Sequence, residues 1–414
     1  MEILKGNAVV GQSGGPTAAI NATLAGVIRG AIDAGKNGII NTLYGMRNGI
    51  EGFLSENLID LTDRFGNEDD IATLELTPAA ALGSCRKKMK SPDDDPETYE
   101  KLIEIFKKYD IRYFFYIGGN DSMDTVLKLS KYAASHEYEM RVVGIPKTVD
   151  NDLVVTDHTP GFGSAAKYVA VTVKEILRDI SVYTTKAVTI VEIMGRDAGW
   201  LTASAALTGR IAGIAPDLVY LPEVPFDYAR FFTDLEKCFE KHPNVVVAVS
   251  EGIAFADGRL VGEGTQSGAT DTFGHKYLSG TGKALELAVK EKFGCKARSV
   301  ELNLPQRCAA HIASATDISE SVAIGKASVG TGDEIYSYAG CVMTAKRSDD
   351  PYTITFEPES VAKIANNTKF VPAEYINEDG NGITEAGIDY IYPLIQGELD
   401  VIFENGLPKH VEIK

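Results

Sequence analysis

Four short stretches carry residue types suited to handling a phosphoryl group. In "GIPKTVDNDL", Lys147, Thr148, Asp150 and Asp152 fall within six positions after an apolar run. That grouping sets a cation for phosphoryl oxygens beside a carboxylate able to accept a hydroxyl proton. A surface turn rich in Asp and Asn is the plainer reading of the same letters. In "EIMGRDAGWL", Arg196 follows an apolar run and Gly195, and a planar guanidinium there suits equatorial phosphoryl oxygens. "GQSGGPTAAIN" places Gly14 and Gly15 between a strand pattern and a helix pattern. Backbone N–H groups and the positive end of a helix then favour a phosphate, although a tight strand-to-helix turn requires no more than these residues. Its spacing matches neither G-x-x-x-x-G-K-[ST] nor G-x-G-x-x-G, so neither the P-loop nor the dinucleotide fingerprint applies. "IGGNDS" removes side chains at Gly118 and Gly119 and keeps a carboxylate at Asp121. Asp121 and Ser122 either cap the following helix or hold a hydrated cation.

Each stretch follows an apolar run and precedes a helical period. "NAVVGQSGG", "YFFYIGG", "RVVGIPKTVDND" and "AVTIVEIMGRDAG" alternate with "PETYEKLIEIFKKYD", "GSAAKYVAVTVKEILRDI" and similar segments. Such alternation is the sequence form of parallel sheets covered by helices on both faces, so the expected class is α/β, doubly wound. Further strands are expected at "PDLVYLPE", "NVVVAVSEG" and "KARSVELNL", making a second α/β lobe from about residue 160. Ligands of open parallel sheets collect beyond the carboxyl ends of the strands, which is where the four stretches lie.

Composition bounds the partners. The 414 residues are 44% hydrophobic and 24% charged, enough for a large core divided between two domains. A net charge of -17 repels nucleic acid and anionic membranes, so any anionic ligand must be caught locally. No apolar signal stretch opens the chain and no window reaches the length of a spanning helix, which predicts a cytoplasmic protein. The five Cys never form a C-x-x-C pair and the six His lack H-E-x-x-H spacing, so disulfides and Cys or His metal sites are not expected.

Taken together, "GQSGGPTAAIN", "LGSCR", "GGNDS", "PKTVDND" with "TDHTPGFGSA", "EIMGRDAGWL", "VSEGI" and "PQR" resemble the phosphofructokinase family from about residue 7 to residue 330. The resemblance implies two similar three-layer αβα lobes with doubly wound, mostly parallel sheets and a cleft between them. On that pattern residues 1–160 bind the phosphoryl donor, 161–305 bind the sugar phosphate, and 306–414 cross back and pack on both lobes. Active sites lie at subunit interfaces of a homodimer or homotetramer.

Within the family the chain resembles the pyrophosphate-dependent branch. ATP-using members read Gly-Gly-Asp-Gly-Ser over 118–122, and Asp121 fills and charges the space that their second glycine leaves for a nucleotide. The branch's Lys is Lys147, expected to offset Asp121 and bind a pyrophosphate oxygen. The implied reaction moves a phosphoryl group from pyrophosphate to fructose 6-phosphate, reversibly and with Mg²⁺. Asp150 is the base, Lys147 and Arg196 are its catalytic partners, and Gly14, Gly15, Arg86, Gly119, Asp121 and Ser122 bind the donor. Thr148, Asp152, Met194, Gly195, Glu251, Arg298 and Arg307 bind the sugar phosphate. Asn120 and Asp121 stand on the metal side, Asn120 replacing the branch's usual Asp. Leu304 and Ala187 replace family residues near the sugar phosphate, which leaves sedoheptulose 7-phosphate as a second acceptor. An ATP-dependent enzyme and a non-catalytic sugar-phosphate sensor are the alternatives. Trp200 is assigned to packing, and residues 345–414 show no chemistry.

Overall fold

The computed structural model describes residues 3–263, 280–330 and 340–413. In chain order the strands that build its two large sheets are β1 (Gly6–Gln12), β2 (Ile40–Met46), β3 (Leu58–Asp60), β4 (Ile111–Gly118), β5 (Arg141–Pro146), β6 (Ala187–Ile193), β7 (Leu218–Tyr220), β8 (Asn244–Ser250), β9 (Lys296–Glu301), β10 (Cys341–Asp349) and β11 (Tyr352–Ser360). The helices of twelve residues or more are α1 (Ile20–Lys36), α2 (Pro96–Lys108), α3 (Asn120–Ser135), α4 (Phe162–Ile180), α5 (Tyr228–Phe239), α6 (Thr281–Phe293) and α7 (Ala315–Val329). Central strands are apolar nearly throughout: in β4 every residue but Arg112 is buried, because helices cover both faces of a parallel sheet.

The first sheet has the order β11-β10-β5-β4-β1-β2-β3 and the second β7-β8-β6-β9. Only the edge pairs β10–β11 and β2–β3 run antiparallel, so the sheets are mostly parallel and differ in width. In each sheet the strand order reverses beside the first strand of its lobe. β1 lies between β4 and β2, and β6 lies between β8 and β9. The loops leaving the carboxyl ends of β1 and β4, and of β6, β8 and β9, therefore open onto crevices at two switch points that face each other.

The lobes are fastened by helix contact. A Cβ at Gly26 in α1 would lie 2.1 Å from the Val322 carbonyl oxygen of α7, and one at Gly325 would lie 2.2 Å from that of Thr23. The two helices approach that closely because these glycines carry no side chain. At the other side of α7 the buried Asp317 carboxylate accepts from the Gly161 and Ser164 N–H groups, each at 2.9 Å, at the start of α4. Beyond β11, Ile388, Ile391 and Leu394 pack with Trp200 and Leu201 of the second lobe. Ile413 then returns to the core of the first. Trp200 is thus a packing residue, 3% exposed.

Candidate active site

The strand ends converge on a cleft of about 770 Å³. Gly14, Gly15, Arg86, Gly119, Asn120, Asp121, Ser122, Lys147, Thr148, Asp150 and Asp152 line one wall, and Met194, Arg196, Glu251 and Arg307 line the other. The glycines divide the work. A Cβ at Gly118 would sit 2.0 Å from Ser122 Oγ, so that glycine serves the turn into α3, whereas one at Gly119 would meet nothing closer than the Lys147 carbonyl oxygen at 3.7 Å. Gly119 therefore borders open cleft. Gly14 takes φ +78°, in the left-handed region that favours glycine. A side chain at Gly15 would come within 3.0 Å of an Arg307 nitrogen, so the loop after β1 presents bare backbone to the cations across the cleft.

Lys147 directly follows β5 and donates to the Gly15 carbonyl oxygen at 2.5 Å. Burial pulls its ammonium down to about 8, opposed by the charge of Asp150 and assisted by Arg307. Asp150 sits three residues on, its Oδ2 accepting from the Thr148 hydroxyl at 3.3 Å. Burial raises the Asp150 carboxyl, while the Thr148 bond, Lys147 and Arg196 hold it down. Asp152 is pushed up to about 7 by burial and then by Asp150. Across the cleft burial, followed by Asp150, lifts Glu251 to about 8, and its Oε1 accepts from the Gly195 N–H at 3.3 Å. A low-dielectric cleft with cations around a raised carboxylate is suited to removing a hydroxyl proton while anionic oxygens are held.

Several expectations shift. The cation at Asp121 is Lys88, 3.6 Å away, not Lys147, whose hydrogen bond goes to Gly15. Ser122 does not cap α3; the N-cap is Gly119, without a side-chain bond. Asn120 spends its amide on main chain: Oδ1 accepts from the Asn366 N–H at 2.6 Å and Nδ2 donates to the Asn367 carbonyl at 2.7 Å. It tethers the C-terminal segment, which leaves only the second lone pair of Oδ1 for the expected metal-side role. Arg298 stands exposed on edge strand β9 and is not among the lining residues. Gly195 contributes its N–H rather than cleft surface.

Sequence reasoning missed other lining residues. Asn366 and Thr368 reach the cleft from the segment in which no chemistry was found. Gln306, 2% exposed, lines it too; its Oε1 accepts from the Met194 N–H at 3.3 Å. Its Nε2 and the Nε of Arg196 are buried without a partner among the described residues. Buried donors of this kind call for a partner such as an ordered water or a bound polar group. The "PQR" triplet contained the signal for Gln306; nothing local pointed to Asn366 or Thr368.

Residues 7–330 match the family model described as Phosphofructokinase. The chain is 43% identical over 405 residues, 97% of its length and 95% of the other, to a protein of Halomonas elongata named pyrophosphate–fructose 6-phosphate 1-phosphotransferase. It is 43% identical over 99% of its length and 96% of the other to a protein of the same name from Xanthomonas campestris pv. campestris. The crystal structure of a pyrophosphate-dependent phosphofructokinase from Nitrosospira multiformis superimposes with a TM-score of 0.87 at 38% identity, covering 99% of this chain and 96% of that one.

Proposed function

This chain belongs to the phosphofructokinase family, and we propose that it transfers a phosphoryl group from pyrophosphate to the C1 hydroxyl of fructose 6-phosphate, reversibly, giving fructose 1,6-bisphosphate and phosphate. The observation that carries the donor is Asp121, a carboxylate at the cleft wall next to the side-chain-free Gly119. It occupies and charges space that an additional nucleotide phosphate would need. The names of the relatives that match nearly the whole chain support the same donor. Residues 1–160 form the donor side and 161–305 the sugar-phosphate side, with 306–414 crossing back over both.

In this reading the Asp150 carboxylate takes the C1 hydroxyl proton, the C1 oxygen attacks phosphorus in line, and the bridging P–O bond breaks to release phosphate. Lys147, Arg196 and the Gly14, Gly15 and Gly119 backbone hold the charge of the transferring group. Arg86 adds positive charge at the donor wall, and Ser122 shapes the turn beside it. Thr148 fixes Asp150. Asp152, Met194, Gly195, Glu251 and Arg307 receive the sugar phosphate; Gln306 Nε2 is one further donor. Arg298, exposed on an edge strand, is assigned to the site of a neighbouring copy in a homodimer or homotetramer. No described helix is long and apolar enough to cross a membrane, and we assign the enzyme to cytoplasmic glycolysis and gluconeogenesis.

Among the described residues no group of three or more His, Cys, Asp or Glu is arranged to hold a metal, and Asn120 is committed to the main chain. The described residues therefore form no cage of such side chains. They do fit Mg²⁺ that arrives on pyrophosphate, since Mg²⁺ keeps several waters and takes one or two carboxylates plus donor oxygens. Asp121 would supply the carboxylate, and an ion held there would neutralise charge on the donor oxygens.

A coupled assay of fructose 1,6-bisphosphate formation with pyrophosphate or ATP decides the reading: turnover with pyrophosphate alone supports it, and turnover with ATP alone overturns the donor. The charges also set a pH profile. Asp150 must be ionised, and burial raises its carboxyl above the ordinary carboxylate range, so activity should fall on the acid side as that carboxylate takes up a proton. Lys147 must be protonated and is depressed to about 8, so activity should fall above it. We expect a bell in kcat/KM whose alkaline limb moves outward in Lys147→Arg; a profile that stays flat as pH rises through about 8 would sink this assignment.

A further inference from the structure

The turn that carries Asp150 and Asp152 is held from the far end of the chain. Asn151, between the two carboxylates, is fully buried and takes φ +52°, a left-handed conformation that Asn tolerates better than most side chains. Such an Asn ordinarily bonds its own neighbouring backbone. Here both ends of its amide go elsewhere. Oδ1 accepts from Lys369 Nζ at 3.2 Å, and Nδ2 donates to the Tyr390 hydroxyl at 3.0 Å.

The same two residues fasten the rest of the turn. Lys369 Nζ also donates to the Asp157 carbonyl at 2.6 Å and the Thr156 carbonyl at 3.3 Å, so its three N–H groups are matched by three acceptors between 151 and 157. The Tyr390 hydroxyl donates to the Asp157 carbonyl at 2.6 Å. The Lys369 main chain completes the frame: its N–H donates to the Asp152 carbonyl at 2.7 Å, and its carbonyl accepts from Trp200 Nε1 at 2.9 Å. Trp200 follows the turn that bears Arg196, and its ring faces the Lys369 ammonium at 5.1 Å. One lysine thus touches the turn of the base and the turn of the arginine. Neither Lys369 nor Tyr390 lines the cleft, and both lie beyond the residues that match the family model.

We propose that Lys369 and Tyr390 are positioning residues for phosphoryl transfer: by holding Asn151 in its left-handed conformation they aim the Asp150 carboxylate, without touching either substrate. The proposal rests on the reading of Asp150 as the base. A misplacement of about 1 Å in a reacting group costs on the order of 10²-fold in rate, so loosening the turn acts on kcat. Substrate binding, carried by the glycine loops and by Arg196 and Arg307, stays as it was.

The test compares Lys369→Met and Tyr390→Phe with the wild-type enzyme in the pyrophosphate and fructose 6-phosphate assay, with thermal melting alongside. We expect kcat to fall about 100-fold in Lys369→Met and about tenfold in Tyr390→Phe, with both KM values little changed. Melting temperatures that drop while kcat holds would overturn the proposal, leaving a structural tie only. A KM that rises in step with the loss would overturn it equally, because binding would then have changed. If Lys369→Met does not fold, Tyr390→Phe decides alone, since it removes one hydroxyl. A wild type inert with pyrophosphate overturns the functional reading and this proposal together, whereas an active wild type with unaffected variants overturns the proposal alone.

Discussion

Asp150→Asn is expected to lower kcat by about 10²–10⁴-fold, the usual contribution of a general base, with little change in either KM and no loss of thermal stability. The amide keeps the shape of the carboxylate and can still accept from the Thr148 hydroxyl and occupy the cleft wall. What it cannot do is take the C1 proton. The stability half of the expectation separates chemistry from misfolding. Burial raises the Asp150 carboxyl, and the Asp150 charge in turn helps raise Asp152 to about 7 and Glu251 to about 8. A carboxyl whose folded pKa lies above its unfolded value makes ionisation costly to the fold. The cost is absent below the unfolded value, grows as pH rises through the interval, and is complete above the folded value. Removing Asp150's charge removes part of it. The melting temperature of Asp150→Asn should therefore match the wild type near about pH 4 and exceed it increasingly as pH rises above that. A variant less stable across that range would mean that its lost activity reports disrupted packing rather than a missing base.

The strands were legible because burial on both faces leaves nothing to alternate. "YFFYI" and "VVVAV" read as central parallel strands, and they are β4 and β8. The wall-forming residues were legible for a related reason: carboxyl ends of parallel strands are where such a sheet exposes backbone, so a glycine or charge directly after an apolar run is informative. What could not be read are the partners. Lys88 meets Asp121 from a separate loop, and Asn120 looks like a cation ligand until Asn366 and Asn367 arrive from 246 and 247 residues away. Lys369 and Tyr390 are harder still, separated from Asn151 by 218 and 239 residues. No period links such pairs, and hydrogen-bonding side chains in an irregular segment look like ordinary surface until the fold closes over them. Ser122 was misread for the opposite reason: its residue type suited a cap, but the helix starts earlier, with Gly119 as its N-cap, and leaves Ser122 inside the first turn with its hydroxyl in the space beside Gly118.

Asp121→Gly is expected to raise kcat/KM for ATP by about 100-fold and to weaken pyrophosphate use by about tenfold. Like charges brought together in a recognition site cost several kcal/mol, and every 1.4 kcal/mol is roughly a factor of ten, so one carboxylate suffices for the first effect. The second follows because Asp121 is the carboxylate left for the metal on pyrophosphate, and because Lys88 loses its partner 3.6 Å away. Volume and charge can be told apart with Asp121→Asn, which keeps the size of the side chain and its place in the first turn of α3. If space is the barrier, the amide excludes ATP as well as the carboxylate does and only glycine admits it. If charge is the barrier, Asn recovers most of the gain. Both outcomes keep Asp121 as the donor selector and differ in how it selects. ATP use unchanged in both variants, measured beside an active wild type, would show that donor choice is made elsewhere in the cleft. Lys147 would then be the residue to vary next, because it stands across from Gly14 at 3.4 Å from where a side chain there would begin and bonds the Gly15 carbonyl, at the centre of the donor wall.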